Sequence, residues 1–338
     1  MSIKTALVIG GGIAGPTTAL ALRKAGIEAT VFEKHSSSAE GLGGVLMVAP
    51  NGLHALSIID LEDAVSVVGQ PIARMIIGDG RGHDIMKFGG IPGLPASRML
   101  WRSDLYRVLR DAALAQGIRI EHGKDLVAIH ETSTTITATF SDGSAASADV
   151  LIGADGIHSI VRRLIDPNAP QPQSDGLLGL GGEADLQVPG ETDAIHFAHG
   201  ARAFFGYWLQ PSGRALWFSN LPHKSFMSTA DARGIPPEQW LARLRDAHAG
   251  DTPAEDLVRH TASGSVSVYL DEPALGTGVE ICVGHDVITD DSYNGRLLKA
   301  GPLTADRWSG GFPDASAHVV FGTGGGTQAA NAVSRADG

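Results

Sequence analysis

A run of glycines near the start of the chain stands between a short apolar segment and a stretch of good helix formers. Gly10, Gly12 and Gly15 follow the order Gly-x-Gly-x-x-Gly, with Ile13 and Ala14 between the last two. The first glycine permits a tight turn, the second lets backbone approach a diphosphate, and the third lets helix and strand pack closely. Since a helix N-terminus favours negative charge, these five residues predict a dinucleotide phosphate site.

An acidic residue ends the next apolar segment. Glu33 follows Gly15 by 18 residues, and Lys34 comes directly after it. A carboxylate at this position can accept hydrogen bonds from a ribose diol, and it repels a phosphorylated ribose. Glu33 is therefore a candidate ribose ligand, and Lys34 is a further candidate contact. The pattern fits FAD and NAD equally, so an NAD-dependent dehydrogenase stays open at this point.

The elements around these residues follow from apolar periodicity and turn signals. Residues 5–9 and 28–33 are predicted strands, and residues 14–24 are a predicted helix with Gly26 at its end. A second helix is predicted over 103–116, with Ser103 as N-cap. Further strands are predicted over 126–130, 135–140 and 149–153. This order of elements predicts a βαβ unit at the start of an α/β domain.

A region rich in strands is predicted between about 171 and 277. Residues 203–210 and 214–219 alternate as strands do, and a Pro-Ser-Gly turn at 211–213 joins them. Aromatic residues are frequent in both strands and could either line a ligand pocket or fill the core of the sheet. Their β propensity favours the core. They are Phe204, Phe205, Tyr207, Trp208, Trp217 and Phe218.

A second motif follows the apolar strand at 150–152. Residues 153–162 have the order Gly-Ala-Asp-Gly-Ile-His-Ser-Ile-Val-Arg. This segment resembles the fingerprint Gly-x-Asp-Gly-x-x-Ser-x-x-Arg of FAD-dependent aromatic hydroxylases, the group A flavoprotein monooxygenases, and every defined position matches. In that family the segment is associated with the FAD and NAD(P)H sites. The resemblance therefore implies that Asp155 and Arg162 contact a cofactor.

The same resemblance assigns three further residues. Arg102, directly before the second predicted helix, matches an arginine that contacts FAD, and Val127 matches a position whose backbone contacts adenine. The family's third fingerprint, a strand followed by Gly-Asp-Ala-Ala-His and Gly-Gln-Gly, is present only in fragments. Residues 278–284 fit its strand, but His285 replaces the aspartate. Asp314 is preferred over Asp286 as the ribityl ligand.

The resemblance also implies a fold and a division into domains. The fold class is α/β, with a Rossmann-like FAD-binding domain of the glutathione-reductase type and an inserted, sheet-rich substrate domain. Residues 1–72, 97–170 and 278–338 are assigned to the discontinuous FAD-binding domain. Residues 73–96 and 171–277 are assigned to the substrate domain. The length of 338 residues suits two domains of about 150 residues each.

The implied activity is that of a monooxygenase that uses FAD and consumes NADPH or NADH. It would hydroxylate a small aromatic or polyketide-like substrate with dioxygen, through a flavin hydroperoxide. The sequence identifies no catalytic residue and no metal ligands. Because the third fingerprint is incomplete, the alternative is a catalytically impaired relative that binds FAD or ADP without a complete flavin site.

Composition excludes several other classes of protein. A net charge of −11 opposes nucleic-acid binding, which draws on clustered lysine and arginine. The single cysteine, Cys282, permits no internal disulfide and agrees with a cytoplasmic location. No apolar run reaches the ~18 residues of a membrane span. The expected partners are therefore small molecules, and the oligomeric state stays open.

Overall fold

The computed structural model describes residues 3–37, 44–169, 176–188, 190–223, 227, 229–270, 280–283, 286–291 and 296–300. Its strands are β1 (Thr5–Ile9), β2 (Glu28–Glu33), β3 (Val45–Val48), β4 (Gln70–Ile72), β5 (Arg74–Asp79), β6 (Asp84–Gly89), β7 (Ser97–Trp101), β8 (Arg119–His122), β9 (Leu126–Glu131), β10 (Ile136–Phe140), β11 (Ala145–Ala148), β12 (Val150–Gly153), β13 (Leu177–Gln187), β14 (Ala194–His199), β15 (Phe204–Leu209), β16 (Arg214–Pro222), β17 (Ser267–Leu270), β18 (Glu280–Val283), β19 (Asp286–Asp291) and β20 (Arg296–Ala300).

The helices are α1 (Ala14–Lys24), α2 (Pro50–Ser57), α3 (Glu62–Val68), α4 (Arg102–Ala115), α5 (Ile160–Ile165), α6 (Thr229–Gly234), α7 (Pro237–Ala247) and α8 (Ala254–Arg259), with a short 3-10 turn at Ser263–Ser265. The longest of these, α4, has 14 residues. A membrane-spanning helix needs about 20 apolar residues. Within the described ranges, no helix meets that requirement.

The first sheet has the strand order β20-β19-β18-β12-β1-β2-β8. Strand β1 pairs in parallel with both β2 and β12, so the carboxyl ends of these three strands lie at one edge. Alternate side chains of β1 enter two different layers, since Ala6 and Val8 pack with α1 and α4 while Leu7 and Ile9 pack with β10 and α5. This two-sided sheet confirms the predicted α/β, Rossmann-like fold.

Most local predictions for this part are confirmed, with one error at α4 and some elements that were not predicted. The bounds of β1, α1 and β2 agree with the prediction. Helix α4 begins at Arg102, so the prediction of Ser103 as N-cap is wrong: Trp101 holds that position and no side chain caps the helix. The reason is that β7 leads directly into α4, with the Arg102 N–H bonded to Gly44 O at 2.9 Å. Strands β8 and β11, which were not predicted, form by pairing with β2 and β10.

The second large sheet has the order β17-β13-β16-β15-β14-β5-β6. One of its faces packs against α7 and α8, with Trp217, Trp240 and Leu257 buried between them. We call this the helix-covered face. The opposite face contacts the small sheet β3-β7-β4, and we call it the β7-facing face. The residues of that second contact are Ile72, Met99, Ile195, Trp208 and Leu216, with Val45, Met47, Met75, Phe197 and Phe218 packed around them.

A chain of buried polar groups ties the helix-covered face to the turn between α7 and α8. Ser219 Oγ lies 2.8 Å from His248 Nε2, and His248 Nδ1 lies 3.2 Å from Asp251 Oδ2. All three residues are buried, and the His248 ring also packs edge-on against Phe205. The order serine, histidine, aspartate is that of a hydrolase triad. Because burial keeps any substrate from the serine oxygen, we interpret this cluster as structural.

Burial lowers the pKa of His248, and the hydrogen bond with Asp251 opposes that shift only in part. The folded protein therefore binds fewer protons than the unfolded chain as the pH falls through the ordinary histidine value of about 6.5. We expect thermal stability to fall between pH 7.5 and 5.5, above the range in which carboxylates titrate. Burial also lowers the pKa of His196, which adds to the same trend.

The variant His248→Gln should be less stable at pH 7.5 by about 1–3 kcal/mol, because Asp251 loses a buried partner. It should also lose part of the pH dependence between pH 7.5 and 5.5. Thermal denaturation of both proteins at the two pH values measures this. If the stability of the two proteins depended equally on pH, the assignment of this pH dependence to His248 would be contradicted.

Candidate functional site

The glycine loop lies where the carboxyl ends of β1, β2 and β12 meet. Gly10 has φ +109°, its N–H donates to Phe32 O at 2.8 Å, and a Cβ on it would lie 2.3 Å from Ala154 O. A Cβ on Gly15 would lie 1.8 Å from Gly10 O. Gly10 and Gly15 are therefore required by the fold itself, through the turn and the close approach of α1 to β1.

Gly12 differs from these two residues. The nearest group to its Cβ position is Arg102 Nη2 at 3.7 Å, an ordinary contact distance. The described protein atoms therefore leave space at Gly12, as the approach of a diphosphate requires. The N-terminus of α1 has no side-chain cap, with Ile13 as N-cap and Ala14 as first residue, and no acidic residue lies in its first turn. Its amide groups can donate to an anion.

Arg102 supplies a positive charge beside this loop. Its guanidinium is half-buried, and burial lowers its pKa. The Tyr106 hydroxyl, which tends to raise the pKa, is an electrostatic neighbour of Arg102, but no described side chain forms a hydrogen bond or ion pair with the guanidinium. A half-buried cation without a counter-charge is unfavourable unless an anion joins it. Arg102 and Gly12 together therefore fit a diphosphate.

Glu33 closes the other side of the loop. Its Oε2 accepts a hydrogen bond from the Gly11 N–H at 2.6 Å, and its Oε1 accepts one from the His35 N–H at 2.9 Å. These bonds fix the carboxylate beside the loop, and each oxygen keeps a lone pair for a ribose hydroxyl. A Cβ on Gly11 would lie 2.8 Å from Glu33 Cβ. This role of Gly11 was not predicted, because the motif treats its position as variable.

The second motif folds against the first. A Cβ on Gly10 would lie 2.8 Å from Asp155 Cα, so the two loops are adjacent. Asp155 accepts bonds from Ser159 Oγ at 2.6 Å and from the Ile160 N–H at 2.7 Å, at the start of α5. Arg162 Nη1 and Nη2 donate to the carbonyls of Ile157 and Gly156 at 3.2 and 3.3 Å. Both side chains hold their own loop, and contact with a cofactor stays a prediction.

The remaining predicted residues lie at varied places. Lys34 is exposed directly after Glu33, and Val127 is 49% exposed on β9. The Lys124 N–H donates to Glu33 O at 2.9 Å, which places the start of β9 near the end of β2. Asp314 lies outside the described residues, and so does His285. The structure thus brings together the glycine loop, Glu33, Arg102 and Asp155.

The aromatic residues of β15 and β16 separate by face. Phe205 and Trp217 are stacked at 5.6 Å and belong to the core on the helix-covered face, as predicted. Tyr207 lies on that face too and stacks on His196 at 4.5 Å; burial raises its pKa to about 12. Phe204 and Phe218 are half-buried and lie 5.8 Å apart on the β7-facing face. The prediction that these aromatics fill the core therefore holds for only some of them.

Comparison with known proteins places these features in a family. A family model described as an FAD binding domain matches residues 4–258. The FAD-dependent urate hydroxylase of Klebsiella pneumoniae is 29% identical over 227 residues, which are 64% of this chain and 57% of that protein. The 3-amino-4-hydroxybenzoate 2-monooxygenase of Streptomyces cremeus is 32% identical over 178 residues, 48% of this chain and 42% of that protein. The chain therefore spans only about half of these relatives.

A solved structure has a similar fold. The crystal structure of Klebsiella pneumoniae HpxO complexed with FAD and uric acid superposes with a TM-score of 0.66. The match covers 82% of this chain and 68% of that chain, at 24% sequence identity. At this level of identity the likeness supports the fold, which agrees with the two sheets described above.

Substitution of Gly12 separates binding from folding. We expect Gly12→Val to weaken FAD binding at least about tenfold, because the side chain would occupy the space of the diphosphate. The free energy of unfolding without FAD should change by less than about 1 kcal/mol. Fluorescence titration with FAD and denaturant unfolding measure the two effects. Gly264→Val, also at an open Cβ position, is the control and should leave FAD affinity unchanged.

Removal of the Arg102 charge tests the counter-charge argument. We expect Arg102→Gln to weaken FAD binding by roughly 10- to 100-fold, the loss of one charged hydrogen bond. The melting temperature without FAD should stay equal or rise, because a half-buried cation has been removed. Titration and thermal denaturation give both values. A variant that loses stability without FAD and keeps its affinity would argue that Arg102 is structural.

Proposed function

The chain belongs to the FAD-dependent aromatic hydroxylase family, and on that premise we propose that it is an FAD-dependent monooxygenase acting on an aromatic or polyketide-like small molecule. The observation that carries the proposal is the open cradle at Gly12, faced by Arg102 and flanked by Glu33. These residues fit the diphosphate and ribose of FAD in charge and in space. The single cysteine also leads us to propose a cytoplasmic location.

We assign the contacts as follows. The amide groups of Gly12, Ile13 and Ala14 would hold the diphosphate, with Arg102 supplying the positive charge. Glu33 would hold the adenosine ribose, with Lys34 at its side and the backbone of Val127 near the adenine. Asp155 and Arg162 would support the loop beside Gly10, and Asp314 would serve the ribityl chain.

We propose the overall reaction of an NAD(P)H-dependent monooxygenase. When bound, FAD would supply the redox chemistry, with NADPH or NADH as reductant and dioxygen as oxidant. One oxygen atom would enter the substrate as a hydroxyl group, the other would leave as water, and NAD(P)⁺ would be released. The contribution of the chain is to bind the cofactor, orient the ring of the substrate and exclude water.

The architecture supports a substrate site near the cofactor site. Met99 on β7 packs into the apolar contact between the small sheet and β14–β16. Arg102 follows three residues later, where β7 ends. With a rise of about 3.3 Å per residue, the two Cα atoms lie roughly 10 Å apart. A ligand on the β7-facing face would therefore be within reach of a cofactor that passes Arg102.

The test is uptake of FAD followed by turnover. We expect purified protein to bind FAD and show a flavin absorbance band. It should oxidise NADPH or NADH faster when one member of a panel of phenols and polyketides is added. Mass spectrometry should find one atom of isotopically labelled dioxygen in the product. The Gly12→Val protein is the control and should show neither the band nor the stimulation.

The alternative is a catalytically impaired relative, and the incomplete third fingerprint at residues 278–338 favours considering it. Colourless protein that takes up no added FAD would support this alternative. So would protein that binds FAD but oxidises NADPH and NADH at the same rate with and without every compound of the panel.

A further inference from the structure

A row of residues across five strands of the second sheet has an unusual composition. Ile77 pairs with Phe197, Phe197 with Gly206, Gly206 with Phe218, and Phe218 with Gly181. Directly opposed residues of neighbouring strands point to the same face. A glycine therefore lies between two phenylalanines on the β7-facing face.

The absence of a side chain at Gly206 allows the orientation of the Phe218 ring. A Cβ on Gly206 would lie 2.2 Å from Phe218 Cε1 and 2.3 Å from its Cζ. The ring therefore covers the backbone of Gly206, and no larger residue fits beneath it. Phe218 folds down onto the sheet at Gly206 instead of standing up from it.

Two further rings complete the surface. Phe197 lies 5.6 Å from Phe204 and 6.1 Å from Phe218, and the last two lie 5.8 Å apart. All three rings are half-buried, unlike the fully buried Phe205 and Trp217 on the helix-covered face. We define Phe197, Phe204 and Phe218 as the aromatic triangle.

The charge around the triangle is low. Its ring neighbours outside the three phenylalanines include His199, which meets Phe204 edge-on at 5.2 Å. Arg214 lies on the same face of β16, and its Nη1 is paired with Glu183 Oε1 at 3.0 Å. In the described part of the chain, no lysine or arginine lies over any of these three rings. Among the described residues, the triangle thus offers aromatic faces for stacking and no cation stacked on them to hold a carboxylate.

We propose that the aromatic triangle binds the ring of the substrate, and that Gly206 and Phe218 select an uncharged, planar, fused aromatic ring. This proposal rests on the proposed function and names the substrate class of that same site. A flat ring can stack on the half-buried Phe218 ring, whereas a ring carrying a carboxylate would lose the hydration of its charge without gaining a cation stacked on the triangle among the described residues.

The experiment measures binding separately from turnover, on the full chain loaded with FAD. The probes are 2-naphthol and 6-hydroxy-2-naphthoate, which share a fused ring and differ by a carboxylate. Calorimetric titration should give an affinity for 2-naphthol at least about tenfold higher. Equal affinities, tighter binding of the naphthoate, or no binding of 2-naphthol would overturn the proposal.

A variant of Gly206 and a matched control test whether Gly206 shapes the binding surface. Gly206→Ala should weaken 2-naphthol binding about tenfold or more, because the new methyl group displaces the Phe218 ring. Gly182→Ala is the matched control: its Cβ would lie 2.8 Å from Trp217 Cζ2 on the helix-covered face. It should lower the melting temperature and leave the affinity for 2-naphthol unchanged. An equal loss of affinity in both variants would overturn the proposal, since it would reflect the fold alone.

A second variant tests the proposal even if the Gly206→Ala protein does not fold. Phe218→Leu removes the ring without a new clash, and it should also weaken 2-naphthol binding while the dissociation constant of FAD stays unchanged. Unchanged 2-naphthol affinity in this variant would overturn the proposal. Selective binding of 2-naphthol without NADPH or NADH oxidation would instead count against the monooxygenase function and leave the ring site intact.

Discussion

Helix α1 passes so close to the end of β1 that a Cβ on Gly15 would lie 1.8 Å from Gly10 O. This contact sets the direction in which the amide groups of the α1 N-terminus point. Gly10 in turn fits between the ends of β2 and β12, through Phe32 O and Ala154 O. The positions of Glu33, Asp155 and the phosphate cradle therefore depend on one backbone contact between a helix and a strand.

Strand β7 of the small sheet contacts the cores of both large sheets. Its residue Met99 enters the apolar contact with β14–β16, Leu100 enters the core with α1 and α4, and Arg102 follows at the start of α4. A shift of β7 along its neighbours would move all three residues together. The distance between the cofactor cradle and the apolar contact is consequently set by a rigid, paired strand and not by a loop.

Much of the nucleotide cradle could be predicted because its determinants are local. The strand, the glycines and the helix at residues 5–24 follow one another directly, and Glu33 ends the next strand. The predictions failed, or none was made, for features that depend on contacts between residues distant in the sequence. Helix α4 begins at Arg102 because of Gly44, Gly11 is fixed by Glu33, and β11 exists because β10 is beside it. The division of aromatics between faces required the register of β14–β16, which periodicity over one strand does not give.

Strands β14, β15 and β16 carry two sets of side chains that alternate along the same backbone. One set, including Phe205 and Trp217, packs under α7 and α8, and the other, including Phe204 and Phe218, faces β7. Inserting or deleting a single residue within these strands would exchange the two sets. Over evolution, point replacements can accordingly change the side chains on one face of these strands without disturbing the other. Changes of length are confined to the connecting turns.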